Sequence, residues 1–382
     1  MAIFSRNAQA LLLLVGTIVG VGMFGIPFVF VRAGFLTGVI ELAILAAAAA
    51  LVHFAYAEVV LATPELHRLP GYVRRYLGPT AGQISRLSYL AGLSGSLLAY
   101  IVLGGFFLQT LLGAVFPETP PMAGLFIFYT LGVFVLFQGI RFESAANALL
   151  TLILLGAVAA LAFTLVPASS LPALSFYPER FPIPYGVILF SMAGAAVIPE
   201  MRRILGRASA SRLRSLTVLG TFAASILYLL FAAVVVGVSG PATTPDAVTG
   251  LAERFGSFYL LSGSVIGFLT AITSFIPLAM VLQGMFISDV GLPERAAWLL
   301  TAIIPASLYL AGFHDFIAIV SVVGAVAIGF DSLLVLLVHR RAVRQARLLA
   351  FAPAAASDVV RLLLVCVFGF GILYELYRFF AL

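Results

Sequence analysis

The sequence contains no lysine, one cysteine and few charged residues. All 21 basic residues are arginines, and 9% of the 382 residues are charged, whereas a soluble domain carries about 25%. The single cysteine, Cys366, excludes internal disulfides and cysteine-based metal sites. The low charge content excludes secreted, disordered, nucleic-acid-binding and large soluble catalytic proteins. The pI of 9.7 does not indicate a nucleic-acid partner, because the charges lie in loops between apolar runs.

Apolar runs fill the chain instead, since 63% of the residues are hydrophobic and the mean hydropathy is +1.16. A membrane-spanning helix needs about 20 apolar residues. Runs this long, without period-two alternation, predict helices rather than a barrel, and therefore an all-α integral membrane protein. The eleven predicted spans are 9–31, 36–62, 83–113, 122–139, 144–166, 184–204, 212–239, 256–288, 294–311, 314–338 and 358–380.

The arginines are distributed unevenly between the two sides of these spans. With a cytoplasmic N-terminus, 17 of the 21 fall on the inner side, and four fall outside: Arg32, Arg180, Arg254 and Arg378. Arginine accumulates in cytoplasmic loops. The distribution therefore predicts a multi-pass protein of eleven spans with a cytoplasmic N-terminus and its C-terminus outside. We expect it in a prokaryotic cell (inner) membrane.

Span 1 is interrupted by the run GTIVGVGMFGIP at 16–27, with four glycines and a proline. Glycine costs a helix about 1 kcal/mol and proline about 3 kcal/mol relative to alanine, so this run predicts an unwound segment. Close helix packing through small residues is the alternative. Span 6 carries a weaker copy, FSMAGAAVIPE at 190–200, in which Gly194 precedes Pro199 by five residues, as Gly22 precedes Pro27.

The two breaks occupy matching places in two halves of five spans. An odd number of spans inverts the second half, and broken helices at matching positions of inverted repeats indicate a transporter's binding site. The predicted organisation is one transmembrane domain, 1–382, with a first repeat at 9–166, a second at 184–338 and an extra span at 358–380.

On these runs, with AYIVLGG at 99–105 and ITSF at 272–275, the chain resembles the amino acid–polyamine–organocation superfamily. Within it, the chain is similar to amino acid permeases of the aromatic and amino acid/auxin type, which have the leucine-transporter fold. The resemblance implies that the amides of Val21, Gly22 and Met23 hold a substrate carboxylate. The implied substrate site comprises Thr17, Ile18, Gly20, Val21, Gly22, Met23, Tyr100, Phe190, Ser191, Met192, Ala193 and Gly194.

Within that site, Thr17, Ile18, Phe190, Ser191 and Ala193 are implied to offer carbonyls or hydroxyls to the substrate ammonium. Tyr100 would bond the carboxylate or close a gate; the alternative is an ordinary buried tyrosine.

The resemblance also implies a sodium site, formed by the carbonyls of Gly16 and Val19 and the hydroxyls of Thr273 and Ser274. Oxygen ligands suit a hard cation. The alternative is hydroxyls bonded to their own helix. Span 5 carries no basic residue after Arg141, whereas some proton-coupled relatives place a lysine there.

Two carboxyl groups within the spans, those of Glu58 and Asp331, are candidate proton carriers. The alternative is a carboxylate paired with arginine near the inner surface. His53 is expected to be a hydrogen-bonded buried histidine, because no second ligand stands at metal spacing.

The sequence thus predicts secondary active transport of a neutral, apolar or aromatic amino acid, by alternating access and coupled to sodium or protons. A channel or a transport-inactive sensor of the same fold is the alternative, followed by a membrane-embedded enzyme. No HExxH or GxSxG motif supports an enzyme. We expect no cofactor besides a possible sodium ion. The expected partners are the amino acid and the lipid bilayer, without nucleic acid or an obvious protein partner.

Overall fold

Helices occupy the predicted spans in a computed structural model that describes residues 4–138, 144–206, 212–345 and 357–381. The helices are Arg6–Ile18 and Gly22–Ala33 (span 1), Phe35–Ala62 (span 2), Pro79–Val115 (span 3), Ala123–Phe137 (span 4), Ser144–Leu165 (span 5), Tyr185–Ser191 and Ile198–Leu205 (span 6), Leu213–Ser239 (span 7), Ser257–Met285 continued by the π-helix Phe286–Val290 (span 8), Glu294–Leu310 (span 9), Phe316–Val322, the π-helix Val323–Ile328 and Gly329–Arg344 (span 10), and Asp358–Ala381 (span 11).

Length and composition suit these helices to a membrane. Among the described residues, seven helices are long and apolar enough to cross one, and the two helices of span 1, bent by 50°, form an eighth crossing. Spans 4, 6 and 9 are built from shorter helices. Arg141, Arg207 and Arg347, which contribute to the predicted orientation, lie outside the described residues.

Two short helices lie where the sequence analysis expected only breaks between spans. Leu69–Leu77, the loop helix, lies between the predicted spans 36–62 and 83–113, and Thr249–Phe255 lies between the predicted spans 212–239 and 256–288. The loop helix buries Tyr72, Val73 and Tyr76 and exposes Arg74 and Arg75. A nine-residue amphipathic helix is too short and too polar to register as an apolar run, which is why it was missed.

Packing between the helices follows the inverted repeat. Spans 1 and 5 pack together, and their counterparts 6 and 10 do the same. Spans 2 and 7 form another extensive contact, as do spans 3 and 8, and each of these pairs consists of corresponding members of the two halves. The chain is therefore an all-α membrane protein with a five-plus-five inverted repeat and broken helices 1 and 6, as predicted.

A buried polar cluster joins spans 2, 7 and 10 near the side that the arginines assign to the cytoplasm. Glu58 accepts hydrogen bonds from Arg214 at 3.2 Å and from His339 at 2.8 Å. The Glu58 side chain is 6% exposed and that of His339 is 1% exposed. The negative charge of Glu58 is thus balanced by Arg214. This is the arginine-paired alternative given for Glu58 in the sequence analysis.

Candidate functional site

The first helix of span 1 ends at Ile18, and the second begins at Gly22. Between them, the Gly20 amide bonds back to the Ile18 carbonyl at 2.7 Å, and the Met23 amide bonds to the Gly20 carbonyl at 3.3 Å. The Val21 and Gly22 amides donate to no backbone carbonyl of the described residues. The break thus leaves two adjacent donors at a helix N-terminus, where the helix dipole favours an anion.

The break in span 6 covers residues 192–197. The first helix ends at Ser191, a short 3₁₀ turn covers Ala195–Val197, and the second helix starts at Ile198. Pro199 stands in the first turn of that helix, where its missing N–H costs nothing. Of the glycine and proline that are five residues apart in the sequence, Gly194 thus lies within the break and Pro199 in the first turn of the helix that follows it.

Tyr228 of span 7 connects the two breaks. Its hydroxyl lies 2.5 Å from the Ile18 carbonyl oxygen and 3.0 Å from that of Ser191, the last residues of the two first half-helices. The side chain is fully buried. A phenol has one proton to donate, so the Tyr228 hydroxyl is shared between these two helix-end carbonyls, of which that of Ile18 also accepts from the Gly20 amide at 2.7 Å. The sequence analysis missed Tyr228.

Tyr228→Phe is expected to weaken substrate binding by roughly 5- to 100-fold. It removes the donor that the two carbonyls share; the Ile18 carbonyl keeps the Gly20 amide, so the loss falls on the Ser191 carbonyl, and an unsatisfied buried acceptor costs about 1–3 kcal/mol. Titration of purified protein with labelled amino acid measures the change. Tyr129→Phe is the matched control, because the Tyr129 hydroxyl donates to Ala302 at 3.2 Å, between spans 4 and 9. Equal affinity in parent and Tyr228→Phe would remove Tyr228 from the site.

A cavity of about 110 Å³ adjoins both breaks. Its volume approaches the roughly 150 Å³ of an engineered cavity that holds benzene. Spans 2, 3, 8 and 10 and the loop helix form the remaining walls, with Val52, Leu93 and Ile328 among the apolar groups and Asp331 among the polar ones. The cavity can therefore place an aromatic ring on apolar walls while the breaks offer backbone groups to a polar end.

Nine of the twelve predicted substrate-site residues line this cavity: Thr17, Ile18, Gly20, Gly22, Tyr100, Phe190, Ser191, Met192 and Ala193. Val21, Met23 and Gly194 do not. The Met23 amide is engaged by Gly20, so it is not available as a third carboxylate donor in this conformation. The cavity also includes residues that the sequence analysis did not select, among them Ser96, Ala195 and Ala196.

The glycines of the two runs have different surroundings. A Cβ on Gly194 would lie 2.7 Å from Leu14 Cδ1, and one on Gly16 would overlap the side chain of Thr151 in span 5. Gly16 and Gly194 thus allow close helix packing, which was the alternative stated for the run at 16–27. A Cβ on Gly20 would lie 3.0 Å from the Tyr100 hydroxyl. Gly20 and Gly22 instead bring backbone to the cavity.

The predicted sodium ligands are partly brought together. Ser274 Oγ would lie 3.5 Å from a Cβ on Gly20, so it stands at the break of span 1. This hydroxyl is buried and lies near the Tyr100 hydroxyl, which would be 3.0 Å from the same Cβ. Thr273 donates to Leu269 at 2.7 Å within its own helix, as the alternative reading stated. Gly16 and Val19 lie in the same segment of span 1.

The two candidate proton carriers occupy different environments. Asp331 lines the cavity and accepts a hydrogen bond from Ser88 at 2.8 Å. It forms no ion pair within the described part of the chain. Glu58 lies outside the cavity and is ion-paired. His53 is buried and bonded to Thr221 at 2.8 Å, as expected for a structural histidine.

An aromatic cluster closes the opposite side of the break in span 1. Phe24, two residues beyond Gly22, packs against Phe107 with ring centroids 4.9 Å apart and against Phe231 at 5.9 Å. All three rings are buried. The cavity walls extend the other way, to Tyr89 and to Leu69 of the loop helix. The conformation is thus closed toward the predicted outer side.

Comparison with known proteins adds a family and a fold. The model of the tryptophan/tyrosine permease family matches residues 6–287. MhsT in complex with L-phenylalanine is similar at a TM-score of 0.70 and 14% identity, over 97% of each chain. A manganese transporter of Eremococcus coleocola, solved with an aromatic bis-isothiourea substituted compound, is similar at 0.71 and 14%, over 97% of this chain and 85% of that one. No curated protein matches the sequence. At 14% identity the structural likenesses show a shared fold.

Proposed function

Because the chain belongs to the tryptophan/tyrosine permease family, we propose that it carries an aromatic amino acid across a cell membrane by secondary active transport. Family membership makes it a multi-pass membrane transporter with the leucine-transporter fold, and not an enzyme. The substrate, the site and the coupling ion are the proposed parts. The observation that supports them is a single cavity bounded by both broken helices.

In the proposed complex, the substrate's charged groups bind to backbone rather than to charged side chains. The Val21 and Gly22 amides, at a helix N-terminus, receive the carboxylate, and the Tyr100 hydroxyl stands beside Gly20. Carbonyls at the ends of the first half-helices receive the ammonium. A hydrogen bond to a charged group contributes about 1.5–3 kcal/mol. Two or three of them hold the zwitterion without an ion pair.

The ring then occupies the apolar part of the cavity, between Val52, Leu93 and Ile328. Full burial of an aromatic side chain contributes about 1.5–3 kcal/mol, which is a factor of about 10 to 100 in affinity. Aromatic amino acids are therefore expected to bind about 10- to 100-fold more tightly than alanine. Backbone recognition alone would not produce this preference.

Alternating access requires contacts that break on each side in turn. On the predicted outer side the contact is the Phe24, Phe107 and Phe231 cluster. On the other side, Arg68 donates to the Gly284 carbonyl at 3.0 Å and to Ser288 at 2.6 Å, joining the start of the loop helix to span 8. Movement of spans 1 and 2 relative to spans 3 and 8 would change both contacts.

Thermal-shift measurements on purified protein with each of the twenty amino acids test the proposal. A ligand that binds the folded state raises its apparent stability by mass action. We expect tryptophan, tyrosine or phenylalanine to give the largest shift, and alanine little or none at equal concentration. A largest shift with a charged or small polar amino acid, or no shift with any of the twenty, would contradict an aromatic substrate.

The same measurement separates the two coupling schemes. Sodium coupling through Thr273 and Ser274 predicts that Na⁺ enhances the shift caused by the aromatic substrate while K⁺ does not. Proton coupling through Asp331 predicts a shift that depends on pH and not on Na⁺. Asp331 is the better placed of the two candidate proton carriers, because it lines the cavity and is unpaired within the described residues, whereas Glu58 is ion-paired.

A further inference from the structure

A second cavity, of about 570 Å³, lies on the side assigned to the cytoplasm and apart from the substrate cavity. The loop helix, the first two turns of span 3 and the end of span 8 enclose it. Its polar lining includes Arg74, Arg75, Gln83, Arg86, Ser288 and Asp289, and we name it the basic cavity. No residue of the basic cavity lines the substrate cavity.

The charges of the basic cavity are unbalanced. Three arginines and one aspartate line the cavity, and Arg75 is paired with Glu65 at 2.7 Å, so Arg74 and Arg86 remain against the Asp289 carboxylate. The side chains of Arg74 and Arg86 donate no hydrogen bond among the described residues. Arg86 Nε is buried without a partner, and so is Asp289 Oδ2. A buried donor left unsatisfied costs about 1–3 kcal/mol, so the cavity is arranged to receive an acceptor.

The donor set fits a phosphate group. Arginine presents a planar fork of N–H groups that binds phosphate oxygens in pairs. Pro79 and Gly82, in the first turns of the 37-residue helix of span 3, also line the cavity. A helix N-terminus adds partial positive charge, which favours phosphate; these two residues add no free amide, because proline has none and the Gly82 amide donates to the Gly78 carbonyl at 3.1 Å. The guanidinium groups of Arg74 and Arg86 and the N-terminus of the span 3 helix thus line the same cavity.

Exposed apolar side chains stand next in the chain to two residues of the basic cavity. Leu87 follows Arg86 in span 3 and is 67% exposed, and Ile287 precedes Ser288 in span 8 and is 40% exposed. A free phosphate ion makes no use of such apolar side chains, whereas a phospholipid with its headgroup in the cavity can lay its acyl chains against them.

We propose that the basic cavity binds the phosphate of an anionic phospholipid. The general enrichment of arginine in cytoplasmic loops explains why these residues lie on this side. It does not explain a cavity that collects three of them with one guanidinium nitrogen buried and unpaired. Basic pockets at the cytoplasmic ends of transmembrane helices bind anionic headgroups.

Native mass spectrometry with added phosphatidylglycerol or phosphatidylcholine tests the proposal. One arginine near a membrane surface contributes about five-fold to the affinity for anionic lipid. Arg74→Gln is therefore expected to weaken phosphatidylglycerol binding about five-fold, and Arg74→Gln with Arg86→Gln about 25-fold. Phosphatidylcholine binding should not change. Arg340→Gln with Arg341→Gln is the matched control, since it removes equal charge from exposed positions on the same side and should leave phosphatidylglycerol binding unchanged.

If the Arg340 and Arg341 control loses as much phosphatidylglycerol binding as the Arg74 and Arg86 variant, the effect comes from surface charge alone and the proposal is wrong. Unchanged binding in the Arg74 and Arg86 variants would also overturn it. Inorganic phosphate supplies the third arm. Phosphate is added at about 10 mM, in large excess over lipid. If it stabilises the parent protein against heat while phosphatidylglycerol does not, the cavity takes a free anion and the lipid assignment is wrong. The single Arg74→Gln variant changes an exposed residue, so folding does not limit the test.

Discussion

Gly22→Val is expected to abolish substrate binding and uptake. A Cβ at this position would lie 2.9 Å from Phe190 Cδ1 and 3.1 Å from the Ser191 Cα. Real Cβ atoms essentially never come within 3.0 Å of another atom, and the nearest backbone atom belongs to Ser191, the last helical residue before the break in span 6. Valine would therefore separate the two breaks and fill the volume between them. Overpacking also costs about 1–3 kcal/mol of stability.

Uptake of labelled tryptophan into proteoliposomes measures the effect, alongside the elution profile of the purified variant. Gly156→Val is the matched control, because Gly156 lies in span 5 with open space around its Cβ position. We expect normal uptake for the control and uptake at background for Gly22→Val. Normal uptake by Gly22→Val would show that the substrate binds elsewhere.

Glu58→Ala is expected to lower the free energy of unfolding by about 3–5 kcal/mol, the usual cost of removing one partner of a buried ion pair. The reason is that Arg214 and His339 lose the carboxylate that both contact. The cluster joins spans 2, 7 and 10, so the loss affects several helix contacts together. Unfolding by sodium dodecyl sulfate in mixed micelles, followed by circular dichroism, gives the free energy.

Glu200→Ala provides the comparison for this second variant. Glu200 pairs with Arg203 at the surface, where the two side chains are 39% and 69% exposed. Surface ion pairs contribute about 0–1 kcal/mol, so this variant should stay close to the parent. If Glu58→Ala and Glu200→Ala lose the same small amount, the buried cluster does not stabilise the fold.

The spans and the two breaks could be predicted from the sequence because their signals are local. Apolar runs mark the helices, and the glycines and prolines at 16–27 and 190–200 mark where helices must stop. The structure places the first break at 19–21 and the second at 192–197. Membership of the tryptophan/tyrosine permease family confirms the superfamily resemblance that those runs carried.

Features that depend on distant partners could not be predicted in the same way. Tyr228 lies in an ordinary apolar helix, and its role appears only when Ile18 and Ser191, 210 and 37 residues away, reach its hydroxyl. Glu58 and His339 are separated by 281 residues. A carboxyl in an apolar run indicates only that a partner or a function exists. In the structure, Glu58 is ion-paired with Arg214, whereas Asp331 lines the substrate cavity.

Counterflow of L-tryptophan in proteoliposomes tests the central proposal most directly. Vesicles loaded with unlabelled tryptophan are diluted into a trace of labelled tryptophan, without an ion gradient. A carrier that exposes one site alternately to each side produces a transient accumulation of label above equilibrium, and we expect this overshoot in the parent protein and its absence in Gly22→Val. A monotonic approach to equilibrium would indicate a channel, and no entry of any aromatic amino acid would indicate a sensor; either result would contradict carrier transport.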